Sequence, residues 1–409
     1  MTINPVILML ALGQTLVWAG AYYVFPALLL HWESAMGWSR EDITLALMLA
    51  TFSMAMASPV AGRLIDQGKG PLVMGSSTVM AGICIGLLAT VNSLWLFYIL
   101  WIVNGAMLAG CLYEPCFALI TRVRGGDAKR SITAVTLIAG FASSLSFPAA
   151  HILSTRFSWQ TTVLVFATVV ITLAAPLLWV GARKLERQYE SPDNNQETGS
   201  GSAALPKKKQ SESTASSDFL RRPVFWFLGC GFAFAAIVHG AALQHLLPIL
   251  DERGMAAGIA VTAVSLIGPM QVSGRILIAL LGDRLSNHAT VLLVFAAMAA
   301  SIVCLIGARW QPWMLFAFVL LFGGGYGVLS IIRPVIAREL LGGHAFGAKT
   351  GVLAFMYLIG AGSSAWIGSL LWRLGGYTVV LSLLVAMIVL ATALYMKAYR
   401  NSDSNNADS

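Results

Sequence analysis

Apolar residues run in blocks of about twenty along almost the whole chain, and short polar clusters separate them. A block of that length, coiled as a helix, covers the roughly 30 Å of hydrocarbon in a bilayer. An ordinary surface helix instead returns a polar residue at every turn. The pattern predicts twelve helices, over residues 7–30, 42–62, 71–91, 94–121, 131–153, 159–181, 223–248, 258–281, 288–307, 311–337, 346–373 and 376–397. The first block has no basic leader or small-residue cleavage site and is long enough to span, so it reads as the first of the twelve.

Composition makes the bilayer the solvent rather than merely a neighbour. The chain is 57% hydrophobic and 11% charged, where a soluble domain carries about 25% charged residues. The expected fold is an all-α membrane protein. Charge then sets orientation, because Lys and Arg are retained on the cytoplasmic side. With the N-terminus inside, the inner segments hold 19 of the 26 basic residues, the outer loops five (Arg40, Arg156, Arg253, Arg309 and Arg373), and Arg275 and Arg333 fall inside helices. Trp32, Trp38, Trp95, Trp159, Trp310, Trp313 and Trp372 sit near the outer helix ends, as an aromatic belt does. Both termini are thus expected in the cytoplasm, with the protein multi-pass in the plasma (inner) membrane.

The net charge of +8 is spread over inner loops rather than gathered on a soluble module. That distribution argues against nucleic acid and for anionic membrane lipid as a partner. All five cysteines fall in predicted helices, so no disulfide framework is expected. Gly342 to Gly347, before Ala348-Lys349-Thr350, has the wrong spacing for a phosphate loop. With no nucleophile elbow and no zinc-binding histidine pair, neither enzymatic activity nor a cofactor is expected, and a monomer is the expected working unit.

Residues 182–222 break the apolar pattern with a run rich in Ser, Lys, Glu, Gln and Asn, which reads as a disordered cytoplasmic linker. It divides the chain into an N-terminal six-helix bundle (1–181) and a C-terminal one (223–400), followed by a polar tail (401–409). The bundles carry matching marks. Asp66 follows the second helix and Asp283 the eighth, 217 residues apart; Glu114-Pro115 in the fourth helix matches Arg333-Pro334 in the tenth, 219 apart. Two matches at nearly one offset argue for a duplicated unit, so the two bundles are expected to be pseudo-symmetric.

Gly62-Arg63-Leu64-Ile65-Asp66-Gln67-Gly68-Lys69 resembles the loop signature of the major facilitator superfamily, and Asp283-Arg284 resembles its weaker second copy. Within that superfamily, Gly37-Trp38-Ser39-Arg40 and Gly274-Arg275 resemble the monocarboxylate porters and the oxalate and formate exchangers. The resemblance implies alternating access, a cavity lined by helices 1, 4, 7 and 10, and an arginine at Arg275 that meets a substrate carboxylate. Where those porters place an aspartate one turn earlier, this chain has Gln271.

A charge at mid-bilayer costs about 2.5–3.5 kcal/mol on insertion scales, so an arginine kept there is expected to face a cavity or a partner. Arg275 is the clearest case, its planar fork matching a carboxylate. Glu114 and Arg333 occupy equivalent depths, and their symmetry suggests a gate pair or a proton carrier, with a permanent ion pair as the alternative. Asp66 and Asp283 join them as gating candidates. Gln14, Trp18 and Tyr22 recur every four residues on one face, suited to stacking on an organic solute or to helix packing. With Gln271, His239 and Tyr326 they complete the expected substrate-binding set. Pro115, Pro334 and the run Gly323-Gly324-Gly325-Tyr326-Gly327 suggest points of bending during transport, with simple helix packing as the alternative.

The function expected is secondary transport of a small organic solute, an anion such as a carboxylate, with protons or a counter-solute as coupling partner. Efflux of a toxic or drug-like compound, or uptake of an aromatic vitamin-like solute, is the alternative within transport. A membrane solute sensor is the alternative outside it.

Overall fold

A computed structural model describes residues 4–124, 128–190, 217–281, 284–341 and 346–407. Asp283 and residues 191–216 of the expected linker lie outside the described residues. Ten long apolar helices come first: α1 (Pro5–Met36), α2 (Arg40–Asp66), α3 (Gly70–Thr90), α4 (Leu94–Arg124), α5 (Arg130–Arg156), α6 (Trp159–Gln188), α7 (Pro223–Gln244), α8 (Ala257–Leu281), α9 (Asn287–Gly307) and α10 (Met314–Leu341). The remaining stretch, Phe346–Ala407, is two helices joined at a corner where Gly375 and Gly376 leave helical geometry. We call them α11 (346–374) and α12 (377–407), which brings the spans to the expected twelve. Gly376 sits at φ +66°, a conformation that side chains with a Cβ rarely adopt, so the glycine pair is what allows the tight reversal.

α6 outruns its expected end near residue 181, since its last segment continues to Glu190. Leu178, Ala182 and Leu185 are fully buried at spacings of four and three, while Arg183, Lys184 and Arg187 take the other face. An apolar stripe of that period keeps a helix going after uniform hydrophobicity stops.

Spans pack through small residues, because close van der Waals approach must replace the hydrophobic effect between segments already in lipid. A Cβ on Gly105 of α4 would fall on the Ala50 backbone of α2, and one on Gly360 of α11 on the Ala233 backbone of α7. The α8–α10 pair is close at three glycines. Gly274 abuts the backbone of Gly324, Gly327 that of Gln271, and Gly323 approaches Ile267 and Met270. The glycine run of α10 therefore serves close packing within a helix that continues from Met314 to Leu341.

We call the end of the bundle from which α6 and α7 reach the linker the linker end, and the opposite end the far end. α2 with α11, and α5 with α8, join the two halves. Thr44 and Ser369 hydroxyls lie 2.8 Å apart, the Ser144 hydroxyl donates to the Ser265 carbonyl at 2.5 Å, and Gly268 lies against Gly140. These contacts fall at the far end or mid-membrane. Nearer the linker end the same helices present bare apolar residues, with Met56 80% and Leu280 78% exposed.

Candidate functional site

The N-terminal half shapes its part of the centre by breaking helical regularity twice. In α1 the segment Trp18–Tyr22 is a π-turn, closed by the Tyr23 amide donating to the Trp18 carbonyl at 2.9 Å. A π-turn admits one extra residue and frees carbonyls from the ladder. Here the Ser146 hydroxyl caps the Ala19 carbonyl at 2.8 Å and the Asn104 amide caps that of Ala21 at 3.1 Å. The altered phase gathers three rings: Trp18 lies 5.0 Å from Tyr22 and 6.1 Å from Tyr23. A strict four-residue spacing misses Tyr23.

The second break is in α4, between Cys111 and Tyr113. Pro115 has no amide proton to give the Cys111 carbonyl. The Gln14 side-chain amide supplies it instead, donating to Cys111 at 2.7 Å and to Leu112 at 3.2 Å. Gln14 is fully buried, and its position is explained by this repair. The break turns Tyr113 toward α1, 5.0 Å from Trp18, with Phe117 stacked beneath it at 5.1 Å.

The C-terminal half supplies charge. The Arg275 Nε donates to the Gly327 carbonyl at 3.2 Å, and the guanidinium lies within electrostatic reach of Tyr23 and Tyr113 across the divide. Arg333 sits over the Tyr357 ring at 3.7 Å, and the Tyr357 and Tyr326 hydroxyls are 2.8 Å apart. His239 of α7 stacks on Tyr326 and on Phe322, the latter at 4.7 Å. Tyr22 faces Gln244 and lies within reach of Tyr326, so the two halves' aromatic groups meet. Gln271 touches this region through its backbone, against Gly327.

Among the described residues, no ion pair involves Arg275 or Arg333. Buried polar atoms in the same neighbourhood also lack protein partners: Trp18 Nε1, His239 Nδ1, Gln244 Oε1 and the free Oε1 of Gln14. Desolvated polar groups are ordinarily bonded, so such a cluster marks a place where something else binds.

Of the expected gating residues, Arg333 lies in this centre, Glu114 at its edge and Asp66 apart from it. Glu114 is exposed beside the α4 break and forms no ion pair with Arg333 among the described residues. Asp66 is exposed at the end of α2. The loop after it is held by a residue that local reasoning assigned no role: Arg122 donates to the Ile65 carbonyl at 2.6 Å and lies 3.7 Å from Glu186 of α6.

The sequence profile described as Major Facilitator Superfamily matches residues 10–365. The chain belongs to the major facilitator superfamily. Among curated relatives, the membrane sensor protein UhpC of Escherichia coli is 23% identical, over 88% of this chain and 84% of that protein. Monocarboxylate transporter 12 of Xenopus laevis is 23% identical, over 70% of this chain and 64% of that one. Two solved structures share the fold. A bacterial homolog of the human lysosomal transporter Spinster, in an inward-facing and occupied conformation, aligns with TM-score 0.65 at 15% identity, covering 98% of both chains. The D-xylose-proton symporter aligns with TM-score 0.72 at 11% identity, covering 95% of this chain and 96% of its own. This superfamily member is therefore a multi-pass transporter-type membrane protein of two six-helix bundles, and the centre lies where the bundles meet.

Proposed function

We propose that the chain is a secondary active transporter that moves a small organic anion, a carboxylate with an organic body, by alternating access. One observation carries the reading: Arg275 and Arg333 keep their charge inside membrane helices with no carboxylate beside them among the described residues. A transported anion would supply the missing counter-charge transiently, which a permanent ion pair could not. Arg275 presents a fork whose Nη atoms remain available, and Trp18, Tyr22, Tyr23, Tyr113 and Tyr326 give an organic body flat surfaces to lie on.

The far-end contacts and the bare linker-end faces of α2 and α8 fit a conformation open toward the linker end. On the charge distribution of the loops, that end is the cytoplasm. Glu114, exposed at the α4 break, is the carboxylate for proton coupling, and its partner Arg333 would be met in another state of the cycle. The likeness to a sensor protein keeps a sensing role as the second reading; measurable solute flux decides between them.

The test is uptake into proteoliposomes from a panel of organic carboxylates. Arg275→Lys keeps the charge and loses the fork, and is expected to cut kcat/KM about 10-fold or more; near-normal uptake would reject bidentate anion binding. With Glu114→Gln, uptake driven by an imposed proton gradient is expected to vanish while solute exchange survives. Unchanged gradient dependence would remove the proton role from Glu114.

A further inference from the structure

At the far end a chain of hydrogen bonds runs from one half of the molecule into the other and passes through a single imidazole. Arg40, at the start of α2, gives Nε and Nη2 to Glu33 of α1 at 3.0 and 2.7 Å. Its Nη1 donates to the Tyr377 hydroxyl of α12 at 2.8 Å, and its guanidinium lies 4.5 Å above the Trp372 ring. The Tyr377 hydroxyl in turn lies 2.8 Å from Nδ1 of His245, whose Nε2 is 2.7 Å from the Ala365 carbonyl of α11. His245 is fully buried at the break after α7, where Pro248 has no amide proton for the Gln244 carbonyl. Gly368 leaves room for the ring, since a Cβ there would meet it.

The chemistry of the partners fixes every proton. A carbonyl only accepts, so Nε2 carries hydrogen; arginine only donates, so Tyr377 accepts from Arg40 and spends its own hydrogen on Nδ1. The direction is Arg40 to Tyr377 to His245 to Ala365, and it requires a neutral imidazole in one tautomer. A proton on Nδ1 would make the Tyr377 oxygen accept twice, leave the Tyr377 hydrogen without its acceptor, and place an imidazolium across one oxygen from a guanidinium.

Among the described residues, the acids near this chain of bonds already have partners. Glu33 of α1 is engaged by Arg40, and Glu41 of α2 by Arg373 of α11 at 3.1 Å. Glu252, on the short helix Leu246–Glu252 after α7, accepts from Trp372 Nε1 at 2.8 Å and from the Tyr377 amide at 3.4 Å.

We propose that His245 is a proton-binding site that latches the far end: the neutral imidazole completes the closure, and a proton taken from far-side water holds the closure open. Once the halves part, Arg40 leaves Tyr377 and water reaches the ring, which then titrates near the ordinary histidine value of about 6.5. Closing again requires Nδ1 to give its proton back to the far side. Acid on that side therefore stalls the cycle in the far-open state. This latch is independent of which solute the centre binds.

The test uses spin labels on cysteines introduced at Ala35 and Leu374, exposed far-end positions in opposite halves. Their separation is measured in the reconstituted full-length protein between about pH 5 and 8. The long-distance population is expected to grow severalfold on acidification, and His245→Gln, which keeps an uncharged donor for the Ala365 carbonyl, is expected to abolish that growth. Tyr377→Phe cuts the chain on both sides of the hydroxyl and is expected to give the long distance at every pH. The proposal is overturned by a pH-independent distance distribution in the parent protein, by an acid response that survives in His245→Gln, or by a Tyr377→Phe protein that closes as the parent does.

Discussion

The two halves share a fold and contribute opposite things to the centre. The N-terminal face offers Trp18, Tyr22, Tyr23 and Tyr113, positioned by a π-turn and a proline break, and keeps its acid, Glu114, exposed beside them. The C-terminal face offers Arg275, Arg333 and His239 on helices that run unbroken through their glycines. On two similar scaffolds, one face is shaped by a distorted backbone and the other carries the charge. Distortion is tolerable in the first half because its freed carbonyls find Gln14, Asn104 and Ser146.

That contrast can be broken at either face. Removing the charge should cost most. Arg275→Gln is expected to lose about 1.5–3 kcal/mol of interaction with an anionic solute, roughly a 10- to 150-fold fall in kcat/KM for uptake. A loss of less than threefold would move the anion pole away from the C-terminal face. Next comes the packing that holds that pole. Gly327→Val forces a side chain onto the Gln271 backbone, and about 1–3 kcal/mol of destabilisation should show as a lower Tm of the purified protein; an unchanged Tm would mean that α8 and α10 can part freely.

On the N-terminal face the expected effects are smaller. Gln14→Leu strips the Cys111 carbonyl of its donor, leaves the Leu112 carbonyl only the Cys116 amide at 3.5 Å, and should cost about 0.6–1.7 kcal/mol of stability, with a corresponding fall in Tm. If solute affinity falls and Tm does not, Gln14 touches the solute rather than the α4 break. Trp18→Phe keeps a flat ring and loses one donor, so KM should rise by less than about fivefold with kcat unchanged. A larger rise would show that the indole Nε1, unpartnered here, is a specific hydrogen-bond donor to the solute.

Much of the architecture could be read from the chain alone, because lipid imposes length and apolarity on every span. The twelve segments, the division into halves and the two in-helix arginines all follow from that constraint. The details that organise the centre did not. The π-turn depends on carbonyl caps from Asn104 and Ser146, which lie far along the chain, and the role of Gln14 depends on Pro115 in another helix. Nothing beside Arg40 in the chain pointed to its partner Tyr377, 337 positions away. Hydrogen bonds at such separations leave no local pattern of hydrophobicity or spacing. The glycines of α10 stayed ambiguous for a related reason: a small residue signals bending and close approach alike until the neighbouring helix is known.

The Gln14 graft onto α4 has a mechanical consequence. A proline break left to itself is a joint, free to flex at little cost once water or a neighbour fills the gap. This joint is pinned by a buried side chain rooted in α1, so any hinge motion at Pro115 must either break two hydrogen bonds or carry α1 along with it. The first and fourth spans are thereby geared together, and the aromatic wall they carry travels as one plate.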